Sequence, residues 1–295
     1  MRSATAHVNG IELYLRAVGD PAAPLIVFLH GFPEFSGAWD AVLPSFQDRF
    51  FAVAPDQRGY ARSSKPQGLE AYRISQLVRD VLALAEQLAP GRPFSIVGHD
   101  WGGAVGYATA IAAPRRVAKL VVINGVHPGP FQRALIEAEA QRAASAYIHG
   151  LRQPGAEAGL AANGYAKLLD LLGRFGAAAW LTPAKAAAYR EAWAAPGALT
   201  GMLNWYRATP LVVPKVGEIV DPRALARLDA ATLRVRMPHL LIWGMDDRAL
   251  LPIARAGLAD YCESLVIREI ADADHWLVHQ RSDEVRRLIG DFLRP

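Results

Sequence analysis

Gly98-His99-Asp100-Trp101-Gly102 holds an acidic side chain at the centre of a glycine-flanked turn. An apolar stretch, Phe94 to Val97, precedes it, and a small-residue run with helical character, Gly103 to Ala113, follows. The pattern predicts a sharp strand-to-helix turn that presents a nucleophile: small neighbours let the backbone bend tightly and push the central side chain out over the end of a sheet. Serine is the usual occupant. A carboxylate changes the chemistry, because attack on a saturated carbon gives an alkyl ester of the protein that water must then hydrolyse. Epoxide and carbon–halogen bonds are the matching targets.

Hydrolysis of that ester needs a base, and His275 is the best placed of the eight histidines. It stands in Asp272-Ala273-Asp274-His275-Trp276, after the last strand pattern and before the terminal helix. Asp247, in Trp243-Gly244-Met245-Asp246-Asp247-Arg248, follows the preceding strand and can accept a hydrogen bond from the imidazole, fixing its tautomer. Asp246 competes for that role. The segment Leu29-His30-Gly31-Phe32-Pro33-Glu34 ends a strand in a tight turn, and the backbone N–H groups of Phe32 and Trp101 are suited to form an oxyanion hole for the tetrahedral intermediate. His275 and His279 have a spacing that could chelate a metal on a helix. No glutamate follows His275 and no third ligand stands at matching spacing, so no metal is expected; no cofactor motif is visible either. His30, His99 and His127 end strands and read as buried histidines with satisfied partners.

These groups must be held by a sheet. Apolar runs of strand length, Leu25 to Leu29, Phe51 to Ala54, Phe94 to Val97, Leu120 to Ile123, Leu240 to Trp243 and Leu265 to Ile267, alternate with helical patterns such as Leu82 to Leu88 and Val285 to Phe292. That rhythm predicts an α/β fold with a mostly parallel sheet flanked by helices. Asn9-Gly10 between His7 and Leu15 signals a two-residue hairpin, so the sheet should begin with antiparallel strands. The rhythm fails from about Pro128 to Pro214, where alanine-rich helical segments are punctuated by Pro154-Gly155, Pro183 and Pro196-Gly197. This reads as an inserted helical cap over residues 129–214, with core in 1–128 and 215–295. Ligands of such sheets bind beyond the carboxyl ends of the strands, where the insertion departs.

Composition limits the alternatives. Of 295 residues, 52% are hydrophobic and 20% charged, which suits a globular core and excludes general disorder. The net charge of +4 is spread out, with Arg115-Arg116 and Arg286-Arg287 the only adjacent basic pairs, so no nucleic-acid partner is expected. The first ten residues lack an apolar run of signal-peptide length, and no stretch reaches the roughly 18 apolar residues of a membrane span. The expectation is a soluble, cytoplasmic protein without membrane insertion. Its single cysteine, Cys262, rules out an internal disulfide. A homo-oligomer is compatible with all of this.

The motifs together resemble the α/β-hydrolase superfamily, and within it the cap-bearing epoxide hydrolases with an aspartate nucleophile. The resemblance covers nearly the whole chain. His30-Gly31-Phe32-Pro33-Glu34 matches their HGFPE segment, Asp56-Gln57-Arg58-Gly59-Tyr60 to Ser63 is similar to their DxRGYGxS stretch, read as structural, and Gly98 to Gly103 matches GHDWGG. The G-x-x-D-x-x-L register of Gly244 to Leu250 selects Asp247 over Asp246, and His275-Trp276 matches the terminal HW. The resemblance also implies two cap tyrosines that donate to the opening epoxide oxygen. Leu203-Asn204-Trp205-Tyr206-Arg207 looks like the family's NWYR segment, which points to Tyr206, and Tyr147, seven residues before Pro154, fits the other place. A phenol stays protonated at pH 7 and can still protonate an alkoxide.

The implied function is hydrolysis of lipophilic epoxides to vicinal diols in an apolar pocket near Phe32, Trp101, Trp205 and Trp276, with Trp39 also close to the motifs. A haloalkane or haloacid dehalogenase with the same Asp100, Asp247 and His275 is the enzymatic alternative. Phe32 stands where haloalkane dehalogenases carry a halide donor, and Trp101, Ala104 and Tyr147-Ile148 replace the arginines and the His-Trp pair of fluoroacetate dehalogenases. A non-catalytic small-molecule binding protein is the alternative of another class, although such a protein need not keep an intact triad.

Overall fold

The computed structural model describes residues 1–176, 178–221 and 228–294. Eight strands form one sheet in the order β1-β2-β4-β3-β5-β6-β7-β8: β1 Arg2–Val8, β2 Ile11–Val18, β3 Leu25–Leu29, β4 Phe51–Pro55, β5 Phe94–His99, β6 Val117–Ile123, β7 His239–Gly244 and β8 Leu265–Ile270. The first two make the expected hairpin, with Val8 opposite Ile11 and positive φ at both Asn9 and Gly10. β2 pairs antiparallel with β4, and from β4 to β8 every pairing is parallel. Each predicted strand is present, and most run one to three residues longer than their apolar runs. Lys119, Arg268 and Glu269 pair within the sheet although hydropathy alone leaves them outside it.

The parallel strands are buried on both faces, which explains their continuous apolar character. Leu25, Val27 and Leu29 of β3 pack with Ile96 of β5 and Val53 of β4 on one side. Ile26 and Phe28 point to the other side, where Trp39, Phe46, Leu277, Val285 and Ile289 lie. On the first side pack α1 Ile74–Leu88 and α2 Trp101–Ala112. Between β6 and β7 the described residues include the α-helices α3 Pro128–Glu137, α4 Glu139–Ala144, α5 Tyr147–Arg152, α6 Ala156–Arg174, α7 Pro183–Ala194 and α8 Ala198–Ala208. Pro183 opens α7, while left-handed Gly155 and Gly197 precede α6 and α8, so the predicted punctuation marks real helix starts. The chain closes with α9 Leu277–Gln280 and α10 Ser282–Leu293. No helix among the described residues is long and apolar enough to cross a membrane.

Parallel strands all end at one edge. After β3 the chain steps to β4 on one side, and after β4 it returns to β5 on the other, so the strand order reverses between β3 and β5. A crevice opens at such a reversal, beyond the carboxyl ends of the strands. The Gly31-Phe32 turn follows β3 and Asp100 follows β5, so both stand at that crevice, with Asp247 and His275 leaving β7 and β8 along the same edge.

Candidate active site

Asp100 sits between β5 and α2 with φ 51° and ψ −118°, a conformation that costs a residue with a Cβ on the order of 1–3 kcal/mol. The surroundings impose it. Its N–H points at the carbonyls of Ile123 and Asn124, and the glycines around it admit no side chain. A Cβ at Gly98 would collide with the Gly102 carbonyl, one at Gly102 with the Leu29 carbonyl, and one at Gly31 with the Asp100 side chain itself.

The two carboxylate oxygens are distinguished. Oδ1 accepts the Phe32 N–H at 2.8 Å, while Oδ2 faces His275 Nε2 at 3.7 Å. The Trp101 N–H, at the start of α2, also favours the charged form. His275 Nδ1 donates to Asp247 Oδ2 at 2.8 Å, so Nε2 is the nitrogen turned to Asp100. Asp247 is buried, its Oδ1 accepts the Ala249 and Leu250 N–H groups at 2.8 and 2.9 Å, and Asn124 Nδ2 donates to Oδ2. Asp246 is exposed and bonds through its backbone to Ala273, so the geometry brings Asp247 and not Asp246 to the histidine.

Burial raises the Asp100 pKa, against the opposing charges of His275 and His99 and the N–H groups of Phe32 and Trp101. Burial would lower that of His275, but the charge and hydrogen bond of Asp247, aided by Asp100 and Glu34, override it and raise the imidazole to about 9. At neutral pH His275 is therefore protonated.

Tyr206 and Tyr147 come from α8 and α5 and face Asp100 across one cavity. The Tyr206 ring stands edge-on to Phe32 at 5.0 Å and to Trp101 at 5.1 Å, and 6.3 Å from that of Tyr147. Burial holds the Tyr206 phenol well above its ordinary pKa and raises that of Tyr147, so both are neutral donors. α8 is seated firmly: Gly201 lies so close to Gly59 that a Cβ would strike the Gly59 backbone, and Trp205 Nε1 donates to the Arg58 carbonyl at 2.9 Å. Arg58 is itself fixed by a buried bidentate pair with Asp80, at 2.7 and 2.6 Å, and Asp56 accepts the Ser36 and Arg62 N–H groups. The Asp56 to Ser63 stretch is thus structural.

The cavity encloses about 340 Å³. Trp101 and Trp205 line it, but Phe32 and Trp276 do not. Phe32 has its ring buried against Tyr206, which leaves its backbone N–H as the group turned to Asp100. Trp276 is fully buried beside His275 and His99, and its indole N–H bonds the Leu172 carbonyl at 2.6 Å. Both rings make packing contacts, as does that of Trp39 against Phe28. His279 turns to Glu34, which its Nε2 bonds at 2.7 Å.

Glu34 anchors a network that sequence patterns do not disclose. Its buried carboxylate meets His99 Nδ1 at 2.9 Å and His279 Nε2 at 2.7 Å and accepts the Tyr189 hydroxyl of α7 at 2.8 Å; His99 Nε2 in turn bonds the His275 carbonyl at 2.8 Å. Burial would raise the Glu34 pKa, but the hydrogen bonds from His279 and His99 hold it well below the usual range. Trp193 of α7 also donates to the Pro33 carbonyl at 2.6 Å, so the inserted helices are tied to the oxyanion turn. Asn124, which holds Asp247 and accepts the Gly244 N–H, is a second group found only in the structure. Its sole sequence signal was the Asn-Gly step after β6.

This geometry has close relatives. A family profile described as the alpha/beta hydrolase fold matches residues 24–154. The AB hydrolase superfamily protein YfhM of Bacillus subtilis is 35% identical over 290 residues, covering 98% of this chain and 96% of that protein. Epoxide hydrolase 4 of Homo sapiens is 30% identical over 298 residues, covering 97% of this chain and 76% of the human protein. The chain belongs to the epoxide hydrolases of the α/β-hydrolase superfamily. Among solved structures, an epoxide hydrolase of this superfamily found in metagenomes from hot environments superposes with a TM-score of 0.91 at 35% identity, covering 100% of this chain and 99% of that one. The epoxide hydrolase likeness thus extends over the inserted helices as well as the sheet.

Proposed function

We propose that this hydrolase opens lipophilic epoxides through an ester on Asp100 and releases vicinal diols. The observation that carries the reading is that Asp100 lines the cavity with its Oδ1 held by the Phe32 N–H and its Oδ2 3.7 Å from His275 Nε2. Oδ2 attacks an epoxide carbon, the carbon–oxygen bond of the ring breaks, and Tyr206 or Tyr147 gives its proton to the departing oxygen. Loss of the Asp100 charge on esterification lowers the His275 pKa, so the imidazole gives up its proton, restores the tyrosine and becomes the base. Water activated by Nε2 then attacks the ester carbon. The negative charge that develops on Oδ1 is met by the Phe32 and Trp101 N–H groups, the bond to Oδ2 breaks, the departing Oδ2 takes a proton from the imidazolium, the new carboxyl returns a proton to His275, and the diol leaves with Oδ2. Trp101 and Trp205 provide apolar contact for the substrate.

In this proposal residues 129–214 act as a cap over a core formed by 1–128 and 215–295, and the reaction runs in the cytoplasm, where the unpaired Cys262 stays reduced. The dehalogenase alternative has weaker support, since the Phe32 ring offers no donor to a departing halide. Turnover of a panel of aromatic and aliphatic epoxides, run beside haloalkanes and fluoroacetate, tests the reading. Diol release that vanishes in Asp100→Ala is expected; halide release without diol, or tight binding without turnover, contradicts it.

A further inference from the structure

α2 is buried on every face except one narrow stripe. Trp101, Ala104, Ala108 and Ile111 are its half-buried positions inside the helix, and all four line the cavity. Their spacing of three, four and three residues places them in one row along the helix axis. The row begins beside Asp100 and ends about 16 Å away at Ile111. Its middle is made by two alanines, so the helix leaves a trough rather than a wall. Ile74 and Leu77 of α1 stand along the trough, and Phe131 of α3 lines it as well. Pro210, which is exposed, also lines the cavity.

Two further observations narrow what fits there. Asp100 is the only charged side chain among the described residues that line the cavity. Around His275 aromatic rings pack outside the cavity lining: Phe175 stands 6.1 Å from the His275 ring and 4.9 Å from that of Tyr147, Trp276 stands 4.7 Å from His275, and Trp180 stands 6.0 Å from Trp276. The lined space thus follows the α2 row, while the His275 side carries packed aromatic rings.

We propose that the preferred substrates are terminal epoxides bearing one long, uncharged apolar chain, which lies in the α2 trough with its end toward Ile111, and that Ala104 and Ala108 set this specificity. The inference rests on the epoxide hydrolase reading and refines it. A disubstituted epoxide of the same composition has to press its second chain against Phe175 and His275. Each methylene that enters the trough leaves water, which raises kcat/KM by up to about four-fold per methylene until the chain fills the trough.

The test compares 1,2-epoxyalkanes from epoxybutane to epoxydodecane, the isomer 6,7-epoxydodecane, and styrene oxide, in the native protein and in Ala108→Trp. In the native protein kcat/KM should climb with chain length and then level, and 1,2-epoxydodecane should exceed 6,7-epoxydodecane by on the order of 100-fold. In Ala108→Trp the ratio of epoxydodecane to epoxybutane should fall by on the order of 100-fold, and in the milder Ala108→Leu by less. Styrene oxide turnover with equal rates for the two epoxydodecanes, or with a chain-length ratio that Ala108→Trp leaves unchanged, overturns the inference alone. The native series requires no substitution, so a poorly folded variant does not protect the proposal. Failure of every epoxide, styrene oxide included, removes the functional reading and this inference with it.

Discussion

Esterification of Asp100 should shift the titration of His275, and the size of that shift follows from the geometry. In the free protein the imidazole is held at about 9, with Asp247 and Asp100 among the groups that raise it. The ester is neutral. A unit charge 3.7 Å from Nε2 acts with about 1 kcal/mol in bulk water and about 4 kcal/mol at an effective dielectric of 20. Its removal therefore lowers the pKa by about one to three pH units, to between about 6 and 8. The neutral imidazole is the base, so ester hydrolysis should accelerate with rising pH and level off above that value. Ester formation needs an ionised Asp100 and no neutral histidine, so it should lack that limb. Single-turnover quench experiments with intact-protein mass spectrometry give both rates across pH 5 to 10. A hydrolytic limb that remains at 9 or above would refute the coupling between the two side chains.

Other groups have separable roles. Tyr206→Phe should slow ester formation by about 10²- to 10⁴-fold and leave ester hydrolysis nearly unchanged; equal slowing of both steps in single-turnover measurements would remove the acid role. Glu34→Gln should destabilise the fold by about 1.5–3 kcal/mol at pH 7, because it removes the charged acceptor of the buried hydrogen bonds with His99, His279 and Tyr189, as measured by urea unfolding. The Glu34 pKa is depressed in the folded state, so its contribution is complete above the unfolded value near 4.3 and is lost as pH falls through the folded one. The variant should lack that part of the acid sensitivity, and an unchanged acid profile would count against the network.

The parts of the site that were legible in the sequence share a local steric or register origin. The turn around Asp100 was readable because Gly98 and Gly102 sit where neighbouring carbonyls leave no room for a Cβ. Asp247 was separable from Asp246 by register, and the structure bonds it to His275 while Asp246 is exposed. The strands were readable because parallel strands buried on both sides must be apolar throughout. Long-range pairings were not. Glu34 and His279 are 245 residues apart, and nothing in either segment announces the partner. The surroundings of Trp276 were hidden for a related reason: its place beside His275 in the sequence suggested substrate contact, and only the structure shows its ring buried with Leu172 taking its N–H. The α2 trough was also hidden, since alanine in a helix reads only as a good helix former until the neighbouring elements reveal the space it leaves.

The covalent ester on Asp100 is tested most directly by following oxygen. One turnover in heavy-oxygen water, with protein in excess over a terminal epoxide, should place the label in the Asp100 carboxylate and leave the first diol unlabelled. Label in that first diol, with none in the peptide that contains Asp100, would mean that water attacks the epoxide directly and would contradict the account.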